Sequence, residues 1–128
     1  MTQKQFLLKL LKENKKTIII GSLGTISKDL LELDNKQNCI IPIKGAMGCS
    51  LGFALGYAMN TKHKVILLIG EGSLLMKAGS ISTINRYRPK NLKVIVLNNG
   101  KYASCGGQKN NFKYYEIHPK WLEIKNIT

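Results

Sequence analysis

Glu71 and Asn99 are the residues whose types and spacing could act together chemically. Glu71 stands between Gly70 and Gly72, and Asn99 lies in the run Asn98-Asn99-Gly100-Lys101. A carboxylate, a carboxamide oxygen and a backbone carbonyl are hard oxygen donors of the kind a magnesium ion takes. Glycines at 70 and 72 let a backbone approach a phosphate closely, and the amides that open the next helix, from Ser73 on, favour an anion. The chemistry that needs both sets of groups is the binding of a metal-bound diphosphate. Either motif alone reads as an ordinary turn; the pair at this spacing carries the reading.

The flanking segments must bring the two motifs together. Residues 64–69 form an apolar, branched run with the length of a buried parallel strand, broken sharply at Gly70. Apolar residues at Leu74, Leu75, Ala78, Ile81, Ile84 and Tyr87 predict one helix over residues 73–87. Residues 94–97 return as a second strand, closed by the asparagines. Strand, helix and strand of this size make a right-handed crossover, so Glu71 and Asn99 emerge on one edge of one sheet. Open parallel sheets bind ligands at that edge.

Gly-Glu-Gly followed after this interval by Asn-Asn resembles the cofactor motif of thiamine-diphosphate enzymes, which has Gly-Asp-Gly. The string Gly72-Ser-Leu-Leu-Met76 with Gly79 and Ile84, and the later Asn-Gly-Lys-Tyr and Gly106-Gly-Gln108, narrow the resemblance. They resemble the diphosphate-gripping domain or subunit of the sulfopyruvate and phosphonopyruvate decarboxylases, over residues 17–108. The fold this implies is α/β, a three-layer sandwich with a mainly parallel sheet flanked by helices. The whole chain then forms one such domain, with residues 109–128 a divergent tail. A family domain continues for another strand and helix, so the sheet here is expected to be completed by a partner or left short.

The resemblance also assigns residues. Glu71, Asn99 and the Lys101 carbonyl would hold Mg2+, while Gly70, Gly72, Ser73, Asn99, Lys101 and Tyr102 would hold thiamine diphosphate. In the loop Gly45-Ala46-Met47-Gly48, Met47 would wedge between the cofactor rings, and backbone groups, Gly45 above all, would bond the aminopyrimidine. Cys105 and Gln108 would face the substrate. The reaction implied is loss of carbon dioxide from a small 2-oxo acid after its carbonyl is attacked by the cofactor's thiazolium carbon. The activating glutamate of the family lies on a pyrimidine-binding domain, so the catalytic residue is expected on an alpha-type partner in a hetero-oligomer. One departure matters. Glu71 replaces the family's Asp, and the extra methylene displaces the carboxylate by about 1.5 Å, which weakens an octahedral Mg2+ site. Another thiamine-diphosphate enzyme, of the 2-oxo acid oxidoreductase or acetolactate-synthase type, and a non-catalytic remnant stay open as alternatives.

Elsewhere, Phe6, Leu7, Leu10 and Leu11 predict a first helix ending near Asn14. Residues 17–20 read as a strand, and Ser27 as the N-cap of a helix to Leu33. Residues 39–43 read as a strand that is kinked or at an edge, because Pro42 has no N–H. Ser50, Gly52, Ala54, Gly56 and Ala58 give the next helix a small face for close packing.

At 128 residues the chain is one domain, small for an enzyme holding a whole cofactor. Cysteines 39, 49 and 105 and histidines 63 and 118 make no zinc pattern. Reduced thiols fit the cytoplasm, and neither a signal peptide nor a membrane span is read. The net charge of +13 raises nucleic-acid binding. Dispersed lysines and the lack of a recognised motif argue against it.

Overall fold

The computed structural model describes residues 1–102, 108–109 and 119–128, and of Tyr102 and Gln108 only the backbone. Five parallel strands form the central sheet in the order β2-β1-β3-β4-β7. These are β1 (Ile18–Gly21), β2 (Cys39–Pro42), β3 (Val65–Gly70), β4 (Leu92–Asn98) and β7 (Leu122–Asn126). The short strands β5 (Lys101–Tyr102) and β6 (Gln108–Lys109) pair antiparallel. Alternation along the strands divides the core. Ile18, Ile20, Val65, Leu67, Ile69, Val94 and Val96 pack on α3 (Ser50–Met59), α4 (Glu71–Met76) and α5 (Gly79–Tyr87). Ile19, Ile66, Leu68, Ile95 and Leu97 pack on α1 (Gln3–Glu13) and α2 (Thr25–Leu33). The expected three-layer α/β sandwich is therefore present.

Pro42 lies on β2, an edge strand, where its missing N–H costs no ladder bond. Three expectations need correction. The segment after Gly70 is two helices, not one, interrupted at Lys77 and Ala78. Gly79, a poor helix former, opens the second of them. Ser27 does not cap α2. The N-cap is Gly24, at φ 94°, and the buried Ser27 Oγ instead lies 2.9 Å from the Gly21 carbonyl oxygen and 2.7 Å from that of Ser22. The small face of α3 is divided. Ser50, Ala54 and Ala58 are buried with Leu51 and Leu55, whereas Gly52 and Gly56 are exposed, and a Cβ added at either would meet nothing within 4 Å. Residues four apart share a helical face, and positions 52 and 56 fall on the other side.

Asn91 ties the turn after α3 to the start of β4. Its Nδ2 lies 2.9, 3.0 and 2.9 Å from the carbonyl oxygens of Ala58, Thr61 and His63, which share its two N–H donors. Replacing it leaves partly buried carbonyls without that donor. Asn91→Ala is expected to cost about 1–3 kcal/mol in thermal unfolding. Asn91→Asp is expected to cost more, because an acceptor-only group then faces carbonyl oxygens.

Candidate functional site

Gly70, the last residue of β3, is in register with Leu97 of β4. The two strands are parallel, so the residues that follow them leave the sheet on the same edge. Glu71 opens α4, with Gly70 as its extended N-cap, which places a carboxylate in the first turn of a helix. The residue is 4% exposed. Asn98 and Asn99 close β4 in a tight turn. Asn98 Oδ1 accepts the Gly100 N–H and Asn99 Oδ1 the Lys101 N–H, each at 3.0 Å, and Gly100 takes φ 79°. Asn98 also donates through Nδ2 to Asn126 Oδ1 of β7, at 3.0 Å.

One cavity of about 120 Å3 is lined by Glu71 and Asn99 together, with Gly70, Gly72, Ser73 and Lys101. Met47, half-buried, lines it too. Gly45, Ala46 and Gly48 do not line it, although they build the loop that presents Met47. Gly48 is fixed by need: its φ is +85°, and a Cβ there would come within 2.6 Å of Lys77 Cγ and 3.2 Å of the Ser73 carbonyl oxygen. This close approach seats the Met47 loop on α4. Of the remaining assigned residues, Cys105 lies outside the described residues. Tyr102 and Gln108 are placed only as a backbone pair across β5 and β6.

Leu23, Gly24, Thr25 and Ile26, from the exit of β1 and the start of α2, complete the wall with Gln3 of α1. No role was read for these residues in the sequence. The signal available was the Gly21-Ser-Leu-Gly24 loop, which ends a strand adjacent to β3. Gln3 carries no such signal; its Nε2 donates to Asp29 Oδ2 at 2.8 Å and to Thr25 Oγ1 at 3.2 Å, which brings it to the wall. Next to that wall the buried Ser22 Oγ has no hydrogen-bond partner among the described residues. The site sits where the sheet order reverses, β2 following β1 on one side and β3 on the other.

The donor set fits a magnesium diphosphate. Among the described residues the cavity offers one buried carboxylate, Glu71, and two carboxamides, Asn99 and Gln3, with Lys101 as a cation, and no group of three His, Cys, Asp or Glu that could hold a metal occurs among them. Mg2+ is commonly held in this way, by one or two carboxylates plus the oxygens of a bound phosphate. The volume equals roughly four waters at ~30 Å3 each, enough for an ion and a phosphate group.

The chain is similar to several known proteins. The sulfopyruvate decarboxylase subunit beta of Methanocaldococcus jannaschii is 38% identical over 95 residues, 74% of this chain and 50% of that protein. The phosphonopyruvate decarboxylase of Streptomyces viridochromogenes is 36% identical over 91 residues, 71% of this chain and 23% of that protein. The sulfopyruvate decarboxylase subunit beta of Methanococcus maripaludis is 33% identical over 92 residues, covering 72% and 49%. The chain thus spans half or less of the length of these relatives. The family model described as "Thiamine pyrophosphate enzyme, C-terminal TPP binding domain" matches residues 20–127, and the chain belongs to that family.

Proposed function

We propose that the chain is the thiamine diphosphate- and Mg2+-binding part of a cytoplasmic 2-oxo acid decarboxylase of the sulfopyruvate or phosphonopyruvate type. A pyrimidine-domain chain of the alpha type completes the site and brings the activating glutamate. The observation that carries this reading is that Glu71 and Asn99, from the exits of two neighbouring strands, line a single cavity with Met47. The printed names of the relatives, two of them beta subunits, support both the reaction and the partner.

When bound, the cofactor supplies a nucleophilic carbon and an electron sink for loss of carbon dioxide from a 2-oxo acid. The chain's own residues bind and orient. Glu71 and the Asn99 carboxamide oxygen hold the cation, with the Lys101 carbonyl as a third ligand. Gly70, where nothing lies within 4 Å of an added Cβ, leaves room for the diphosphate beside it. Met47 supports the ring system from the loop after β2, and its unbranched thioether suits an irregular gap. Ser73, Gly72 and Tyr102 belong to the same binding surface, and Cys105 and Gln108 to the substrate side.

Purification of the native complex, with mass spectrometry of its proteins and of its small molecules, tests the reading. A second chain with a pyrimidine domain, thiamine diphosphate in the complex, and release of carbon dioxide from a 2-oxo acid are the expected results. Failure to bind thiamine diphosphate with the partner present would select the non-catalytic alternative, which the Glu71 replacement favours.

A further inference from the structure

A second cavity, of about 710 Å3, opens at the opposite edge of the sheet. Its walls come from the amino-terminal ends of β3, β4 and β7 and from the end of α5, whereas the Glu71 cavity follows the carboxyl ends. A strand of six residues separates them by about 20 Å. Pro89, Leu92, Pro119 and Trp121 form its apolar floor, and Lys64, Arg88, Lys90, Lys93 and Lys120 stand around it. Among the described residues no carboxylate lines it.

The cations differ in how far they are committed. Lys93 pairs with Glu123 at 2.7 Å, and Lys64 Nζ donates to Asn14 Oδ1 at 2.9 Å. Arg88 uses Nε on the Asn85 carbonyl oxygen at 3.0 Å, and its terminal nitrogens make no hydrogen bond to the described residues. Lys90 and Lys120 have no ion-pair partner among the described residues. The floor is set in place: Trp121 Nε1 donates to Asn85 Oδ1 at 2.8 Å, and Arg88 holds a left-handed backbone, φ 43°, closed by its N–H on the Ile84 carbonyl at 2.7 Å.

We propose that this cavity binds a nucleoside polyphosphate, its base on the Trp121 side and its phosphates on Arg88, Lys90 and Lys120. An apolar lining that includes the Trp121 indole suits an aromatic ring. Three uncompensated cations match a multiply charged phosphate chain better than a single carboxylate, and a guanidinium fork is suited to phosphate oxygens. The volume falls in the range of small-molecule pockets, about 300–1,000 Å3, which favours a compact ligand over an extended acidic segment.

Trp121 is the chain's one tryptophan, so its fluorescence reports on this cavity alone. The full chain, with thiamine diphosphate and Mg2+ in excess to occupy the Glu71 edge, is titrated with ATP. A saturable fluorescence change is expected. Lys90→Gln combined with Lys120→Gln should weaken ATP binding about tenfold or more. Both lysines are exposed, so the double variant should keep the parent's melting temperature. Adenosine and inorganic triphosphate should each bind more weakly than ATP. Overturning results are no saturable change, an unaltered affinity in the double variant, or equal responses to ATP, triphosphate and a polyglutamate peptide. None of these depends on decarboxylase activity.

Discussion

Glu71→Gln is expected to lower magnesium-dependent affinity for thiamine diphosphate at least about a hundredfold, measured by calorimetry. Among the described residues the carboxylate is the one anionic side chain lining the Glu71 cavity. An amide in its place keeps the side-chain volume of a residue that is 4% exposed but removes the charge that offsets that of the ion. The melting temperature without cofactor, measured alongside, separates this loss from a folding defect. The companion Glu71→Asp restores the family's residue, shortening the reach by about 1.5 Å. Mg2+ requires ligands near 2.0–2.1 Å in an almost octahedral array, so the shorter acid should bind the cofactor more tightly than the parent. An aspartate variant no tighter than the parent would show that the backbone already accommodates glutamate.

Gly48→Ala should be the most damaging small substitution in the Met47 loop, costing about 2–4 kcal/mol. Two effects add. A Cβ at φ +85° incurs the left-handed penalty, and the same atom would sit 2.6 Å from Lys77 Cγ and 3.2 Å from the Ser73 carbonyl. The lysine is a flexible chain that can move, so Gly48→Ala in a Lys77→Ala background should recover part of the loss. The backbone term of about 1–2 kcal/mol should remain. Thermal melts of the four proteins in this cycle provide the measurement, with the single variant about 10 °C below the parent. Equal melting of Gly48→Ala and parent would mean that the loop does not rest on α4 in this way. Cofactor affinity should fall with stability, because the loop presents Met47.

Four strands of the sheet were legible because they are branched apolar runs, as a doubly covered parallel sheet requires; β7, Leu122–Asn126, carries Glu123 and Lys125 and was not read, so its pairing with β4 replaces the expectation of a sheet completed by a partner or left short. The shared edge was legible for the same reason: once residues 65–70 and 92–98 are neighbouring parallel strands, Glu71 and Asn99 have to lie at the same end of the sheet. What stayed hidden depends on contacts between distant segments. Ser27 carries the right side chain for a cap, but two carbonyls of the preceding loop take its hydroxyl. The interruption at Lys77 follows no break in hydrophobic spacing; Leu74, Ile81 and Ile84 remain buried on both sides of it. Gln3 reaches the Glu71 cavity only because α1 packs beside α2. The pairing of Trp121 with Asn85 spans 36 residues and has no local signature.

The side-chain bond between Asn98 and Asn126 has a dynamic counterpart. The Ile127 N–H also donates to the Asn98 carbonyl oxygen, at 2.9 Å, so both ends of this asparagine are bolted to the outermost strand. That strand therefore serves as a splint for the loop that carries Asn99. Fraying of the sheet's margin and slackening of the proposed cation ligand become one cooperative opening, and the amide protons of the two segments should exchange with deuterium together.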